Sequence, residues 1–274
     1  MNVTRAEATG IPYDSSFRAL VNPAAAGEFF QRHQPQTREA WCAEFARLAY
    51  CDDRAVVEGS LERIGFSLID AFDRHGTAGL AAQGPTFSVL CFRGSDNVRA
   101  WITNLDALPA PWRGGGEVHR GFAAALDVAW PVVETAIQQT APPVVMTGHS
   151  LGAALATLAA SLRPEATLIT FGSPRVGDAA FGASMTRRPA ESRRYVDNRD
   201  IVCRLPSARL GYRHVGTPYL IDADGGVSRR AHEEEGLAGL LSSALEAGRL
   251  AGPHGGLARE LTDHSPINYV SALR

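Results

Sequence analysis

An α/β fold, with a largely parallel sheet covered by helices on both faces, is predicted by three observations on this 274-residue sequence. Short β-rich runs recur at Thr86 to Phe92, Val144 to Thr147, Thr167 to Phe171, Arg194 to Asp197 and Arg213 to Ile221. Helical patterns lie between several of them, notably Phe122 to Gln139 and Leu151 to Leu162. Apolar residues make up 45% and charged residues 20%, ordinary globular usage for a chain that can fill one α/β unit, so a single domain over residues 1–274 is expected. Strands that alternate with helices favour a parallel sheet buried on both faces, with ligands placed beyond the carboxyl ends of the strands.

Ahead of the first of these strands, residues 24–50 carry a helical pattern in Phe29, Phe30, Trp41, Phe45, Leu48 and Ala49, interrupted near Pro35 and read as a packing layer. Residues 224–263 turn rich in Gly, Ala and charge, with a helix expected from His232 to Arg249; this segment reads as an insertion or covering helix without assignable chemistry. The 27 basic and 29 acidic residues leave a formal charge of −2, which selects no partner. Basic residues fall in pairs, Arg187-Arg188, Arg193-Arg194 and Arg229-Arg230, and read as solvated surface instead of a nucleic-acid stripe. Cys42, Cys51, Cys91 and Cys203 lack metal or disulfide-scaffold spacing and are expected to be free thiols. No stretch approaches ~18 uninterrupted apolar residues, and the N-terminus has no basic start followed by an apolar run. Cytoplasmic residence is the default expectation, since a removed signal or a signal-independent route would leave no trace.

The most informative stretch runs from Val144 through Gly148-His149-Ser150-Leu151-Gly152 to Ala156. A β-branched run ends at Gly-x-Ser-x-Gly and an Ala/Leu helix follows at once, the strand–turn–helix context of a nucleophile elbow. Gly148 and Gly152 relieve collisions where the chain reverses, and Ser150 stands at a helix N-terminus that favours developing negative charge. A phosphate loop is excluded by the absence of GxxxxGK[ST] and GxGxxG; a serine that merely caps the helix is the bland alternative. His149 is expected to pack or support, not to act as base.

A serine hydroxyl needs an imidazole to take its proton and a carboxylate to orient that imidazole, in the chain order Ser, acid, His for this elbow. Of the downstream histidines, His214 lies in a strand pattern, His232 opens a charged helix and His254 sits in a glycine loop. His264 follows a helix end and precedes Pro266, on a turn from which a base could project. Asp200 lies just past a strand with apolar residues after it; Asp197 reads as structural and Asp178, Asp222 and Asp224 as turn residues. The oxyanion donors expected are the amide of Leu151 and the strand-end Ser95 of Arg93-Gly94-Ser95. Beyond it, Val98, Trp101, Ile102 and Leu105 recur at i, i+3, i+4 and i+7, an amphipathic helix within residues 96–106 that is either a lid or fixed core.

Taken together, Phe92-Arg93-Gly94-Ser95, Val118-His119-Arg120-Gly121-Phe122, Gly148-His149-Ser150-Leu151-Gly152, Thr170-Phe171-Gly172-Ser173-Pro174-Arg175-Val176-Gly177, Asn198-Arg199-Asp200-Ile201-Val202, Tyr212-Arg213-His214-Val215-Gly216 and Asp263-His264 resemble the class 3 (fungal-type) lipase family. The likeness runs from about residue 86 to 270 and fades before residue 80 and across 224–260. It implies an α/β-hydrolase fold, hydrolysis of lipid esters such as acylglycerols without a cofactor, and Ser150, Asp200 and His264 as the triad. It further implies that Ser95 gives both amide and hydroxyl to the oxyanion hole, that Asp96 to Asp106 is the lid touching a lipid–water interface, and that His119 and His214 are structural. Phospholipase or acyltransferase chemistry on the same triad is the rival activity. A binding module would normally lack a triad member. A metalloenzyme is disfavoured because His232-Glu233-Glu234-Glu235 lacks the HExxH spacing.

Overall fold

The computed structural model describes residues 11–30, 35–103, 106–197, 200–229 and 259–273. Its elements are α1 (Phe17–Val21), α2 (Arg38–Leu48), α3 (Arg54–Glu62), β1 (Ser67–Arg74), β2 (Thr77–Gln83), β3 (Ser88–Phe92), α4 (Val98–Thr103), β4 (Pro109–Pro111), β5 (Glu117–His119), α5 (Arg120–Gln139), β6 (Val144–His149), α6 (Leu151–Ser161), β7 (Thr167–Phe171), α7 (Ala179–Thr186), β8 (Ser192–Asp197), β9 (Thr217–Ile221), β10 (Val227–Arg229), α8 (Arg259–Thr262) and α9 (Pro266–Leu273). The helix expected from His232 to Arg249, and Leu105 of the expected amphipathic stripe, lie outside the described residues. Among the described residues no helix is long and apolar enough to cross a membrane.

Eight strands form the main sheet in the order β1-β2-β3-β6-β7-β8-β9-β10. The run from β3 to β9 is parallel, and antiparallel pairs close both edges. Period-2 alternation sorts the side chains between two cores. Val89, Cys91, Val145 and Ile169 point into a layer built by α2, α3 and α9, while Leu90, Phe92, Met146 and Leu168 meet α5 and α6 on the other face. Both faces are therefore dry, which is why these strands read as continuous apolar runs.

Two features depart from the sequence-based expectation. The β1–β2 hairpin was not anticipated: β2 reads Thr-Ala-Gly-Leu-Ala-Ala-Gln, poor in strand-favouring residues, and the only local signal is the His75-Gly76 turn, whose φ values of 52° and 82° suit a two-residue hairpin. The run from Arg213 to Ile221 contributes a main-sheet strand only from Thr217, because the chain reaches it through Gly216 in the left-handed region. Among the basic pairs, Arg187 and Arg229 are exposed as a solvated surface requires, but other members are not. Arg194 is buried and Arg188 half-buried, the latter held by the carbonyls of Arg163 and Ala166.

One ion pair anchors the first core. Arg47 and Glu44 are both 0% exposed on α2, with Nε of Arg47 donating to Glu44 Oε2 at 2.7 Å. The guanidinium also donates to the carbonyls of Gly27 (3.2 Å) and Glu28 (2.9 Å) and lies 4.2 Å over the Phe29 ring, while Glu44 Oε1 accepts from the Phe30 amide. A buried pair adds little net stability over apolar residues, but removing one partner strands the other charge. Arg47→Met is expected to destabilise the protein by about 3–5 kcal/mol in urea unfolding; a loss below about 1 kcal/mol would mean that Glu44 is compensated without Arg47.

Candidate active site

The site sits at the carboxyl ends of β6, β7 and β8. Strand β6 ends at His149, and Ser150 caps α6 with φ 60° and ψ −127°, a conformation that costs a non-glycine residue of order 1–3 kcal/mol. Packing enforces it. A Cβ on Gly148 would lie 2.5 Å from the Gly152 carbonyl, and one on Gly152 only 2.1 Å from the Phe92 carbonyl oxygen. Only glycine at both places lets the first turn of α6 press against the end of β3. The same approach brings the loop of Arg93, Gly94 and Ser95 against the elbow, where a Cβ on Gly94 would meet the Tyr50 hydroxyl and the His149 carbonyl at 2.0 and 2.7 Å.

Asp200 follows β8 on a turn closed by its amide to the Asp197 carbonyl at 2.8 Å. Its carboxylate is fully engaged: Oδ2 accepts from His264 Nδ1 at 2.8 Å and from the Tyr269 hydroxyl at 2.6 Å, and Oδ1 accepts from the Val202 amide at 2.9 Å. Burial alone would raise its pKa, but His264 and the Tyr269 hydrogen bond together hold it below the usual carboxylate value. His264 stands on the turn between α8 and α9, where the sequence placed it, with Pro266 opening α9. Gly172, in the left-handed region at φ 57°, makes room for the pair, since a Cβ there would come within 2.8 Å of Asp200 Oδ2 and 3.0 Å of the His264 ring.

With Nδ1 donating to the carboxylate, His264 Nε2 carries a lone pair. Nε2 and Ser150 Oγ are both buried and each lacks a hydrogen-bond partner among the described residues. Such orphaned buried atoms are rare in folded proteins, and a catalytic role is one of the explanations for them. Both residues are 1% exposed. An apolar layer lies nearby: Val98 of α4 packs with Leu20, Ile201, Val202 and Leu261, and Trp101 and Ile102 lean on the same cluster. Trp101 also stacks on Phe122 at 6.0 Å.

Of the remaining expected residues, half-buried Leu151 occupies the first turn of α6, where amides have no helical acceptor behind them. Ser95 is half-buried and its Oγ accepts from the Asn97 amide at 3.3 Å, so its hydroxyl closes a turn. His119 caps α5, its Nδ1 accepting from the amides of Gly121 and Phe122, and His214 Nε2 donates to the Cys203 carbonyl at 2.7 Å. His149 is tied more tightly than a packing residue needs to be. Its Nε2–H donates to the His264 carbonyl at 2.7 Å, which leaves Nδ1 to accept from the Tyr50 hydroxyl at 2.9 Å. Tyr50 and Tyr269 were not found in the sequence, because they reach the site across the fold from the turn after α2 and from α9, segments whose pattern signals only packing.

Burial holds His149 and His214 well below the ordinary histidine value, so both are neutral in the folded protein. The unfolded chain takes up these protons as pH falls below the reference 6.5, and the folded state does not. Stability is therefore unaffected by these groups above pH 6.5 and is lost progressively below it. Each is expected to contribute a slope of about 1.4 kcal/mol per pH unit. Urea unfolding between pH 7.5 and 5 checks this, and a flat stability profile would contradict neutral burial of the two rings.

Residues 89–210 match the family model described as Lipase (class 3). A secreted mono- and diacylglycerol lipase of Fusarium solani is 39% identical over 145 residues, covering 49% of this chain and 44% of the relative. A lipase of Rhizomucor miehei is 37% identical over 163 residues, covering 53% of this chain and 45% of the relative. The chain thus spans about half the length of the curated relatives it matches. Among solved structures, the mono- and diacylglycerol lipase from Aspergillus oryzae aligns with a TM-score of 0.64 at 25% identity over 76% of this chain and 92% of that one. With the mostly parallel sheet between two helical layers and the strained serine at the end of β6, these likenesses show the α/β-hydrolase fold, and over residues 89–210 the chain is similar to the class 3, fungal-type lipases.

Proposed function

We propose that the protein hydrolyses lipid esters such as acylglycerols through an acyl-enzyme on Ser150, with His264 as general base and acid and Asp200 as the group that orients it. The observation that carries this reading is the pair of buried, unpartnered atoms, Ser150 Oγ and His264 Nε2, beside a carboxylate that fixes the imidazole by its other nitrogen. Ser150 attacks the ester carbonyl as Nε2 takes its proton; the imidazolium then protonates the departing alcohol, and water repeats the sequence on the acyl-enzyme. Asp200 remains ionised throughout, its charge matched to the imidazolium it stabilises. The amides of Leu151 and Ser95 serve as the oxyanion donors, with the Ser95 turn holding its amide in place. Hydrogen bonds that are absent in a free site commonly form only when substrate is bound.

The apolar cluster involving Val98, Trp101 and Ile102 supports a lid that exchanges protein contacts for a lipid surface, each large side chain contributing roughly 1.5–3 kcal/mol if fully buried. The relatives described as secreted favour secretion over the cytoplasmic residence expected by default. Mono- and diacylglycerols are the substrates that the same relatives suggest.

Turnover of a p-nitrophenyl ester is expected to fall by several orders of magnitude in Ser150→Ala and in His264→Ala, with the double variant barely worse than either, because the groups act as a unit. Multiplicative losses would separate His264 from the mechanism. On a short triglyceride, specific activity should rise more steeply above the solubility limit than below it, and Trp101→Ser should flatten that rise while sparing soluble esters. A curve without a break would make α4 fixed structure and the enzyme an esterase.

A further inference from the structure

The turn that carries His264 is gripped by the N-terminal segment from Ile11 to Val21, to which the sequence assigns no role. The Tyr13 hydroxyl donates to Asp263 Oδ1 at 2.7 Å and lies 2.9 Å from Thr262 Oγ1, so it bridges the two residues immediately before His264. On the other side of the histidine, Ser265 Oγ donates to the Ala19 carbonyl at 2.9 Å. Asn268 exchanges two hydrogen bonds with the Asp14 backbone, and Ser271 Oγ donates to the Ile11 carbonyl at 2.7 Å. Leu20 of the same segment packs with Ile201 and Val202, the residues after Asp200.

We infer that Tyr13 is a positioning residue for His264, acting through Asp263; this rests on the reading of His264 as the base. Asp263 is 1% exposed, and a buried carboxylate keeps its orientation only while donors hold it. Burial and the Asp263 carboxylate push the Tyr13 phenol up to about 12, so the hydroxyl remains a donor at every working pH. The contact holds the chain one residue from the imidazole, while Asp200 and the His149 link to the His264 carbonyl hold the ring and its own backbone. A general base is useful only within a narrow range of positions, and a displacement of about 1 Å can cost a factor of 10². Tyr13 thus supplies the third restraint on His264, from a segment distant in sequence from all three proposed triad members.

The test uses the full chain and a soluble p-nitrophenyl ester. Tyr13→Phe should lower kcat by about tenfold with KM within about twofold of wild type, and should have no further effect in an Asp263→Ala background, since both changes break one link. Ser271→Ala, which releases the same segment at its far end without touching the turn, should keep kcat within about twofold. Wild-type kcat in Tyr13→Phe, a loss confined to KM, full additivity with Asp263→Ala, or an equal fall of kcat in Ser271→Ala would each overturn the assignment. Should Tyr13→Phe unfold, the additivity of Asp263→Asn with Ser271→Ala decides instead: independent effects support a specific link, and a shared loss refutes it. Ser150→Ala separates the two readings, because its retention of turnover would remove the ester-hydrolase mechanism, whereas an inert Ser150→Ala beside an unaffected Tyr13→Phe removes only the role of Tyr13.

Discussion

The approach of α6 to the end of β3 is the constraint from which the geometry of the site follows. A side chain at Gly152 would sit 2.1 Å from the Phe92 carbonyl oxygen, so the helix can begin where it does only without one. That contact accompanies the reversal after β6, where Ser150 stands at φ 60°, and brings the first turn of α6 against Phe92 and Arg93, at the start of the loop that carries Ser95. The cost of the strained serine is offset by the packing of an Ala-rich helix face on β3, β6 and β7. A looser helix would relieve the strain and move the serine and the amide of Leu151 together, so on the proposed mechanism nucleophile and oxyanion donor stand or fall with the same glycine.

Around this elbow the buried polar groups form one connected set. Tyr269 and the Val202 amide complete the shell of Asp200; the carboxylate fixes the Nδ1 proton of His264; His149 holds the His264 carbonyl and is itself oriented by Tyr50, whose hydroxyl abuts Gly94 of the loop that leads to Ser95. Each unmade bond in such a set would expose a buried donor or acceptor at about 1–3 kcal/mol, so the partners hold one another in a single arrangement. Ser150 Oγ and His264 Nε2, the two atoms that the proposed chemistry uses, have no hydrogen-bond partner among the described residues, as expected where stability yields to function.

Much of this was legible in the sequence, for physical reasons. The parallel strands announce themselves because both of their faces are dry, and the elbow because steric relief requires glycine two residues on either side of Ser150. His264 was picked out among four downstream histidines by its place on a turn before Pro266, and the structure puts it on that turn against Asp200. What escaped was long-range: Tyr50, Tyr269 and Tyr13 lie 69 or more positions from at least one residue they hold, and no periodicity encodes such a pairing. The β1–β2 hairpin escaped because Ala and Gly replace β-branched residues where the strand is held by its neighbours instead of by propensity. Arg194 escaped because a paired charge in sequence looks solvated until the fold buries it.

The claim at the centre of this account is that the fold activates one serine through one histidine. Its most direct measurement is the reaction of the protein with a small p-nitrophenyl phosphonate, followed by intact mass and peptide mapping. The account predicts a single adduct on Ser150, formed at a rate that rises as an imidazole loses its proton and that collapses in His264→Ala while the fold is retained. Labelling at another residue, or a rate on Ser150 indifferent to the loss of His264, would contradict it.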